Sequence, residues 1–338
     1  MSKTKLLSGH EAVPLTLEEQ KEIMDTGVVF PCAMVRLQPD GWLLPDPMVT
    51  KYCDKVYNFK FRPDDLVVMS YPKSGTTWMQ EILWTMVHNP DLNHPETNTP
   101  ILNRSPDISF DFIFDSQVTQ FLKFEAFRKW FTEVCPDRRT EDGIMLQITE
   151  LMSGRRIIKS HLPLSLMAPD FLDKAKVVYM MRNPKDVIVS YFNMMMKINV
   201  GEFSSAFESF TRSFMQDNLI FGPYWRHVQE AWEQRDHPNM RFVFYEELKA
   251  DTMTHLQRLN DFTGADLTQS QLDAVARHTS FSSMKGRGEP MKDGLFTNFF
   301  RKGTSGGWKS HFTPELEQEM DEWIEKHTTN NGMNFKVE

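Results

Sequence analysis

The sequence predicts an α/β fold: a single domain in which a central, mostly parallel sheet is flanked by helices. Short apolar runs rich in β-branched residues alternate along the chain with amphipathic stretches of helical period, which is typical of a parallel sheet with helical crossovers. The length of 338 residues suits one large α/β domain or two small ones. Hydrophobic residues make up 40% of the chain and charged residues 25%, so a sizeable core can form.

Four apolar runs are predicted to be strands: Asp65–Ser70, Arg156–Ser160, Lys176–Met181 and Arg241–Tyr245. The amphipathic stretches between and after them are predicted to be helices: Trp78–His88, Lys185–Lys197, Thr252–Phe262, Thr268–Arg277 and Pro314–His327. Proline is favoured in the first turn of a helix, which supports the start of the last one.

The segment 107–150 is rich in phenylalanine. Its phenylalanines first alternate and then recur every third or fourth residue, at Phe110, Phe112 and Phe114 and at Phe121, Phe124, Phe127 and Phe131. The second spacing places side chains on one face of a helix. They would form the core of additional helices or an apolar lid over a binding pocket, and the sequence leaves both open.

The charge and the cysteines limit the class of protein. A formal net charge of −8 disfavours non-specific binding to nucleic acid or to an anionic membrane, although a local basic cleft for a small anion remains compatible with it. Cys32, Cys53 and Cys135 are too widely spaced for a disulfide framework or a zinc site, which favours a reducing compartment.

Met1–Pro14 lacks the apolar core of a signal peptide and is expected to be a flexible tail. No apolar run approaches the roughly 18 residues of a membrane span, so we expect a soluble, cytoplasmic protein.

The strongest local signal is Tyr71–Trp78 (YPKSGTTW), between a predicted strand and a predicted helix. Gly75 permits a tight turn, which leaves backbone N–H groups directed outward at the helix N-terminus. Lys73 adds a positive charge, and three hydroxyl groups add donors: those of Ser74, Thr76 and Thr77. The segment therefore predicts a cradle for an oxyanion, although a hydroxyl-rich helix cap beside a surface lysine would look the same. It is not a Walker A loop, because the lysine precedes the glycine.

Lys159 and His161 lie at the end of a predicted strand. Side chains alternate along a strand, so these two point the same way. Ligands of open parallel sheets bind at the carboxyl ends of strands. The pair predicts a cation and a titratable imidazole in one site, whereas the simpler interpretation is a structural histidine.

Arg182–Asp186 (RNPKD) is a third signal, again between a strand and a helix. Arg182 could bind a phosphate through two N–H groups, and Ser190, one or two turns into the helix, could reach the same anion. A plain strand–turn–helix with a solvated basic tip is the alternative.

Arg301–Lys309 (RKGTSGGWK) combines a glycine-rich backbone with three cations, which fits anion binding or a mobile, solvated loop. No metal site competes with these signals, because the histidines lack H-E-x-x-H spacing and no paired cysteines accompany them.

Together and in this order, the four segments resemble the motifs of the cytosolic sulfotransferase family over roughly residues 59–312. The corresponding family motifs are the 5′-phosphosulfate loop, the catalytic lysine–histidine segment, the 3′-phosphate motif and the C-terminal RKGxxGDWK signature, matched here by Tyr71–Trp78, Arg156–Pro163, Arg182–Phe192 and Phe299–Lys309. The resemblance implies a P-loop-like sulfotransferase fold over residues 59–338, with a helical insert near 103–150, after an N-terminal arm and lead-in over 1–58. It also implies 3′-phosphoadenosine 5′-phosphosulfate (PAPS) as co-substrate, PAP as product and no metal.

The resemblance further implies the role of individual residues. His161 would be the general base on the acceptor hydroxyl, Lys73 and Lys159 would stabilise the transferred group, and Ser190 would restrain Lys73. The nucleotide would be bound by Lys73, Ser74, Gly75, Thr76, Thr77, Trp78, Arg182, Ser190, Tyr245, Thr279, Phe281, Met284, Phe300, Arg301, Lys302 and Gly303. The implied reaction moves a sulfuryl group from PAPS to a hydroxyl of a small hydrophobic acceptor: a phenol, a sterol-like alcohol or a retinoid-like alcohol.

The chain departs from the family pattern in places. Gly307 replaces the aspartate of the GDWK signature. The valine and glutamate of the family's dimer motif are replaced, so a homodimer is left open; the motif positions read Lys309, Thr313, Pro314 and Gln318. The N-terminal arm and the stretch before Lys159 are longer than in most mammalian members and resemble the insect branch, which includes retinol dehydratase.

Other functions remain open at this point. One is a dehydratase, which would use PAPS to form a transient sulfate ester of a retinoid alcohol and then eliminate it. Another is a non-catalytic binder of a nucleotide or an apolar ligand, although the retention of Lys159 and His161 counts against it. A P-loop kinase is disfavoured by the lysine order of the Tyr71–Trp78 loop and by the lack of a clear metal-binding aspartate. We expect no nucleic-acid or membrane partner.

Overall fold

The computed structural model describes residues 4–25, 32–115, 118, 124–198, 206–287, 303, 305–329, 332–333 and 335. Over these residues, a central parallel sheet is flanked by helices, which confirms the predicted single-domain α/β fold. The boundaries predicted for the N-terminal arm, the domain and its helical insert remain predictions.

The N-terminal part of the chain forms an antiparallel sheet with the strand order β1 (Thr4–Lys5), β2 (Glu11–Pro14), β3 (Met34–Gln38) and β4 (Trp42–Pro45). The flexible tail expected for Met1–Pro14 is therefore wrong from residue 4 onward. Ala12 of β2 pairs with Leu37 of β3, and both side chains are buried. The few apolar residues of this segment do not suggest a strand by themselves, but they join the core once β3 provides a pairing partner.

The central sheet consists of β5 (Leu66–Met69), β6 (Ile157–Ser160), β7 (Lys176–Met181) and β8 (Met240–Phe244). All of its pairings are parallel, and the spatial order is β6-β5-β7-β8. These are the four predicted strands. The chain runs from β5 to β6 on one side and then to β7 on the other side of β5. In sheets of this kind, ligands bind outside the carboxyl ends of the strands where the order reverses, which here is the end of β5.

Alternate residues of the central strands enter two separate cores. Val67 and Met69 of β5 pack in one hydrophobic cluster, whereas Leu66 and Val68 pack in another. Both faces of the sheet are therefore covered, as is usual for a parallel sheet. This explains why the strands read as continuous apolar runs without polar alternation.

The α-helices of the described residues, in chain order, are α1 (Leu17–Asp25), α2 (Cys53–Tyr57), α3 (Thr76–His88), α4 (Ile101–Arg104), α5 (Glu125–Val134), α6 (Ile144–Leu151), α7 (Phe171–Lys174), α8 (Pro184–Ile198), α9 (Phe207–Met215), α10 (Tyr224–Trp232), α11 (Tyr245–Ala250), α12 (Thr252–Thr263), α13 (Gln269–His278), α14 (Phe281–Arg287) and α15 (Pro314–Thr328). A π-helix spans Met48–Tyr52, and short 3₁₀ helices span Pro95–Asn98, Asp111–Phe114, Thr140–Asp142, Leu164–Leu166 and Gly307–Ser310.

The predicted helices are present as α3, α8, α12, α13 and α15, with each boundary within two residues of its prediction. Local chemistry sets several of these boundaries. Thr268 and Gln271 form a capping box at the start of α13. Pro314 occupies the first turn of α15, where the missing N–H costs nothing.

The phenylalanine-rich segment contributes mainly to the core. Phe114 stacks on Phe127 with ring centroids 5.1 Å apart, and Phe131 is fully buried. The core interpretation is therefore confirmed for these residues, whereas Phe121 lies outside the described residues. None of the helices in the described ranges combines the length and the apolar character needed to cross a membrane.

Candidate active site

Strand register brings His161 to the end of β5. Met69 of β5 pairs with Ser160 of β6, so the residues that follow the two strands lie side by side. The Nδ1 atom of His161 lies 2.8 Å from the carbonyl oxygen of Ser70. A carbonyl oxygen can only accept, so Nδ1 carries the proton and Nε2 is left with a free lone pair in the neutral ring. The fold therefore holds this imidazole in the tautomer that a general base requires.

The imidazole of His161 is buried, with a relative exposure of 4%. Burial is the main cause that holds its pKa well below the ordinary value, and the positive charge of Lys159 adds to it. His227 and Lys73 lower the pKa further, while the hydrogen bond to Ser70 opposes the shift. The ring is therefore neutral at neutral pH, which is the state that can accept a proton.

A second buried histidine supports the backbone of the first. The ring of His227 lies with Nε2 3.0 Å from the carbonyl oxygen of His161, and its Nδ1 is 2.6 Å from the hydroxyl of Tyr179. The carbonyl oxygen needs a donor, so Nε2 donates to it and Nδ1 accepts from the hydroxyl. Burial lowers the pKa of His227 to about 4. Nothing in the local sequence around His227 distinguishes it from the other histidines, so the sequence alone does not predict this role.

Lys159 lies in β6, two residues before His161, and is almost as buried. Its Nζ is 3.0 Å from Oδ2 of Asp107 and 5.2 Å from the ring centroid of Phe110. The rings of Phe110 and Phe221 also border the imidazole of His161, with centroids 5.9 and 5.8 Å from it. The cation and the imidazole therefore share an apolar environment, and Phe110 lies at the site rather than only in the core.

The Tyr71–Trp78 loop turns from β5 into α3 through two left-handed residues, Lys73 with a φ of 72° and Gly75 with a φ of 101°. A lysine in this conformation is strained, and such strain persists where the surroundings impose it, often at functional sites. Gly75 is required, because a Cβ atom there would lie 2.6 Å from Cδ2 of Tyr245. The first N–H groups of α3 have no intrahelical acceptor and are available to an anion. The hydroxyl residues of the loop are buried: Ser74, Thr76 and Thr77.

Arg182 joins this loop to the end of β7. Its Nη1 donates a hydrogen bond to the carbonyl oxygen of Lys73 at 3.2 Å, and its guanidinium carbon lies 4.4 Å from the ring centroid of Tyr245. Trp78 makes an edge contact with the same tyrosine ring, at 5.6 Å between centroids. The structure therefore brings together Lys73, Trp78, Arg182 and Tyr245, although they come from three separate segments of the sequence.

Lys185 does not form the solvated basic tip considered as an alternative for the Arg182–Asp186 segment. Its side chain is only 1% exposed, and its Nζ lies 2.6 Å from a carboxylate oxygen of Asp321 and 3.4 Å from one of Glu317. The ammonium also lies 4.1 Å from the ring centroid of Trp308. The segment is therefore anchored to α15 by a partly buried ion pair.

Asp186 connects the third sequence motif to the fourth. Its carboxylate accepts hydrogen bonds from the backbone N–H of Gly306 at 2.8 Å and from that of Trp308 at 3.2 Å. The loop before α15 is thereby held against the start of α8. Gly307 stands where the family signature has an aspartate. The contact does not need that aspartate, because Asp186 in the first turn of α8 provides the carboxylate.

The predicted nucleoside contacts lie near the start of α14. The hydroxyl of Thr279 donates to the carbonyl oxygen of Val275 at 2.9 Å, so its oxygen can only accept from a ligand. A Cβ atom on Gly303 would clash with the ring of Phe281, so the loop backbone packs directly on that ring. Met284 is buried.

Some predicted residues are not joined to this group by an observed contact. Ser190 is half-buried in α8, and the described part of the chain offers its hydroxyl no hydrogen-bond partner, so its predicted restraint of Lys73 stays a prediction. Phe300, Arg301 and Lys302 lie outside the described residues.

Comparison with known proteins agrees with the geometry. A family model described as "Sulfotransferase domain" matches residues 63–332. The chain is 30% identical over 303 residues to sulfotransferase 1E1 of Bos taurus, covering 86% of this chain and 93% of that protein. It is similar to the crystal structure of retinol dehydratase in a complex with retinol and PAP, with a TM-score of 0.83, 30% identity and coverage of 97% of this chain and 99% of the other. Retinol dehydratase with androsterone and PAP matches equally well in fold, with a TM-score of 0.83, 29% identity and coverage of 96% and 98%.

Proposed function

Because the chain belongs to the sulfotransferase family, we propose that this enzyme transfers a sulfuryl group from PAPS to a hydroxyl of a small hydrophobic acceptor. One observation carries the proposal: His161 donates from Nδ1 to Ser70 and keeps Nε2 as the basic nitrogen. Two lysines accompany it, and the positive charges of Lys159 and Lys73 both lower its pKa. A neutral base beside fixed positive charge is what proton removal during anionic group transfer requires.

The residues present fit a doubly anionic nucleotide. The turn into α3 combines left-handed Lys73 and Gly75 with the helix N-terminus, and Arg182 is hydrogen-bonded to the same turn. A chain with a net charge of −8 that concentrates cations here has a local field suited to an anion. Residues 73–77 would bind the 5′ end, and Arg182, Ser190 and Arg301 the 3′-phosphate. The nucleoside would contact Trp78, Tyr245, Thr279, Phe281 and Met284. Phe300, Lys302 and Gly303 would also bind the nucleotide.

The chain's own groups account for the proton and the charge. PAPS supplies the sulfuryl group and a phosphate leaving group when it is bound. Nε2 of His161 accepts the proton of the acceptor hydroxyl, a step that typically contributes about 10²–10⁴-fold to the rate. Lys73 and Lys159 stabilise the negative charge that grows on the oxygens around sulfur and on the leaving oxygen. These roles need no metal ion.

The rings of Phe110 and Phe221 beside His161 support a hydrophobic acceptor. The retinol dehydratase structures hold a retinoid and a steroid, which supports testing phenols, sterol-like alcohols and retinoid-like alcohols together. Purified protein with isotopically labelled PAPS and this panel, analysed by mass spectrometry, tests the proposal. We expect an acceptor product that is heavier by SO₃, and PAP as the second product. The cytoplasmic location and the absence of nucleic-acid and membrane partners stay predictions.

A second candidate, dehydration of a retinoid alcohol through a transient sulfate ester, is favoured by the full-length likeness to retinol dehydratase. The same assay distinguishes the two reactions. Loss of water from the retinoid, with release of sulfate and PAP, would indicate dehydration. Gain of SO₃ on the same alcohol would indicate transfer.

A further inference from the structure

The ammonium group of Lys159 is paired with a carboxylate that the sequence motifs do not include. Its Nζ lies 3.0 Å from Oδ2 of Asp107, whose side chain is fully buried, and the lysine side chain is only 9% exposed. Breaking one partner of a buried ion pair leaves an uncompensated charge and is strongly unfavourable. The carboxylate therefore fixes where this cation lies.

The backbone delivers Asp107 to this position. Residues 106–108 form a parallel bridge to the outer edge of β6, in which the Lys159 N–H donates to the carbonyl oxygen of Pro106 at 2.9 Å. The N–H of Ile108 donates in turn to the carbonyl oxygen of Lys159 at 3.0 Å. Directly bridged residues present their side chains on the same face of a sheet, so the lysine and the carboxylate meet without a flexible loop between them.

The same carboxylate reaches His161 through one intermediate residue. Oδ1 of Asp107 accepts from the N–H of Ser109 at 3.0 Å and also from its hydroxyl. The oxygen of that hydroxyl accepts from the backbone N–H of His161 at 3.0 Å. Asp107 and Ser109 are both fully buried. An ion pair followed by hydrogen bonds through Ser109 therefore connects the Lys159 ammonium to the backbone of the histidine.

We propose that Asp107 is a positioning residue for sulfuryl transfer, which holds Lys159 in place and, through Ser109, fixes the backbone of His161. The inference rests on the proposed function of the site. The titratable groups that lower the pKa of the imidazole are Lys159, Lys73 and His227. Without the carboxylate, the charge of Lys159 is uncompensated and lowers that pKa further.

The isosteric substitution Asp107→Asn removes the charge and keeps an acceptor for Ser109. We expect kcat to fall about 10–100-fold while the Kd for PAP changes less than about threefold, because the nucleotide contacts are elsewhere. The acid limb of kcat/KM should move to lower pH by about half a unit or more. Asp115→Asn is the matched control, because it removes a buried carboxylate paired with Lys51 at 2.5 Å in the same segment. It should leave the pH profile unchanged.

Thermal unfolding of the free protein gives a readout that needs no turnover. Asp107→Asn should lower Tm, and adding Lys159→Met should recover part of the loss, because both charges are then gone. If the single variant is too unstable for kinetic assays, recovery of Tm in the double variant supports the pairing of Asp107 with Lys159. A double variant that is no more stable than the single one contradicts this pairing. Unchanged kcat and an unmoved acid limb in a folded Asp107→Asn would overturn the positioning role. Recovery of Tm in the double variant, together with a wild-type protein that is inactive on every acceptor, would instead refute the proposed function alone.

Discussion

Nδ1 of His161 donates a hydrogen bond over 2.8 Å to the carbonyl oxygen of Ser70, which joins the ends of two neighbouring parallel strands. The contact follows from the register of β5 and β6, in which Met69 pairs with Ser160. The fold therefore selects the imidazole tautomer before any ligand binds. Because this selection depends on backbone position, changes in the turns around the site should alter activity even where they leave the chemistry of His161 intact.

Gly75→Ala should disrupt the anion loop more than an equivalent glycine elsewhere. Its φ of 101° is unfavourable for alanine, and the added Cβ would lie 2.6 Å from the Tyr245 ring. Gly154 is the matched control, since it has a φ of 67° and nothing within 4 Å of its Cβ position. We expect Gly154→Ala to cost about 1 kcal/mol of unfolding free energy and Gly75→Ala about 1–3 kcal/mol more. PAP affinity, measured by calorimetry, should fall at least about tenfold only for Gly75→Ala. Equal effects of the two substitutions would argue against the close approach.

Arg182→Gln should separate binding of the 3′-phosphate from binding of the rest of the nucleotide. A hydrogen bond to a charged group is worth about 1.5–3 kcal/mol, so the Kd for PAP should rise about 10–100-fold. Adenosine 5′-phosphate lacks the 3′-phosphate, and its Kd should rise less than about threefold. Arg155→Gln serves as control, because that guanidinium bonds the carbonyl oxygens of Asp64 and Thr263. Equal losses for both nucleotides would refute the assignment.

Arg301→Ala should likewise weaken binding of PAPS much more than binding of the acceptor.

Stability should fall with pH below about 6.5, in part because of His227. Its pKa is lowered to about 4 by burial, so the unfolded state binds a proton at a higher pH than the folded state. Unfolding free energy should therefore drop as pH falls from 6.5 toward 4, by about 1–2 kcal/mol between pH 6.5 and 5 from this residue. Urea unfolding at both pH values measures it. In His227→Gln the pH dependence should be smaller by that amount, and an unchanged dependence would contradict the assignment.

Asp186→Asn should loosen the loop that precedes α15. An amide has one acceptor oxygen, whereas the carboxylate accepts from both Gly306 and Trp308. We expect faster proteolytic cleavage at residues 303–308 and PAP affinity reduced about tenfold, because the neighbouring residues 300–303 are predicted nucleotide contacts. Asp273→Asn is the control, because this partly exposed carboxylate bonds only the Gln269 side chain among the described residues. Equal cleavage rates in the two variants would contradict the anchoring role.

The elements that hold the site could be predicted from sequence because their signals are local. The run Lys176–Met181 is observed as a strand with the same boundaries, since apolar β-branched stretches bounded by loops are local patterns. The N-terminal sheet is hard to predict because all four residues of Glu11–Pro14 pair with a segment more than twenty residues away, and only two of them pair with the nearby Thr4–Lys5. The burial of Lys185 was missed for a similar reason, since its partner Asp321 lies on the last helix.

The site could be predicted only where its residues stand in recognisable motifs. Lys73, His161, Arg182 and Tyr245 were identified in this way, and the structure joins three of them by direct contacts. Asp107 was not identified, because its role depends on a bridge to β6 that only folding creates. Hydrogen bonds between distant segments leave no periodic pattern in the sequence.

The most direct test compares turnover of a phenol and of an aliphatic alcohol by wild type and His161→Ala, with His237→Ala as control and PAP binding measured on each. We expect wild type to form both sulfate esters. His161→Ala should bind PAP normally and lose about 10²–10⁴-fold in kcat, with the larger loss on the alcohol, whose proton is harder to remove. Near-normal sulfation of the alcohol by His161→Ala, or no ester from wild type with any acceptor, would contradict the account.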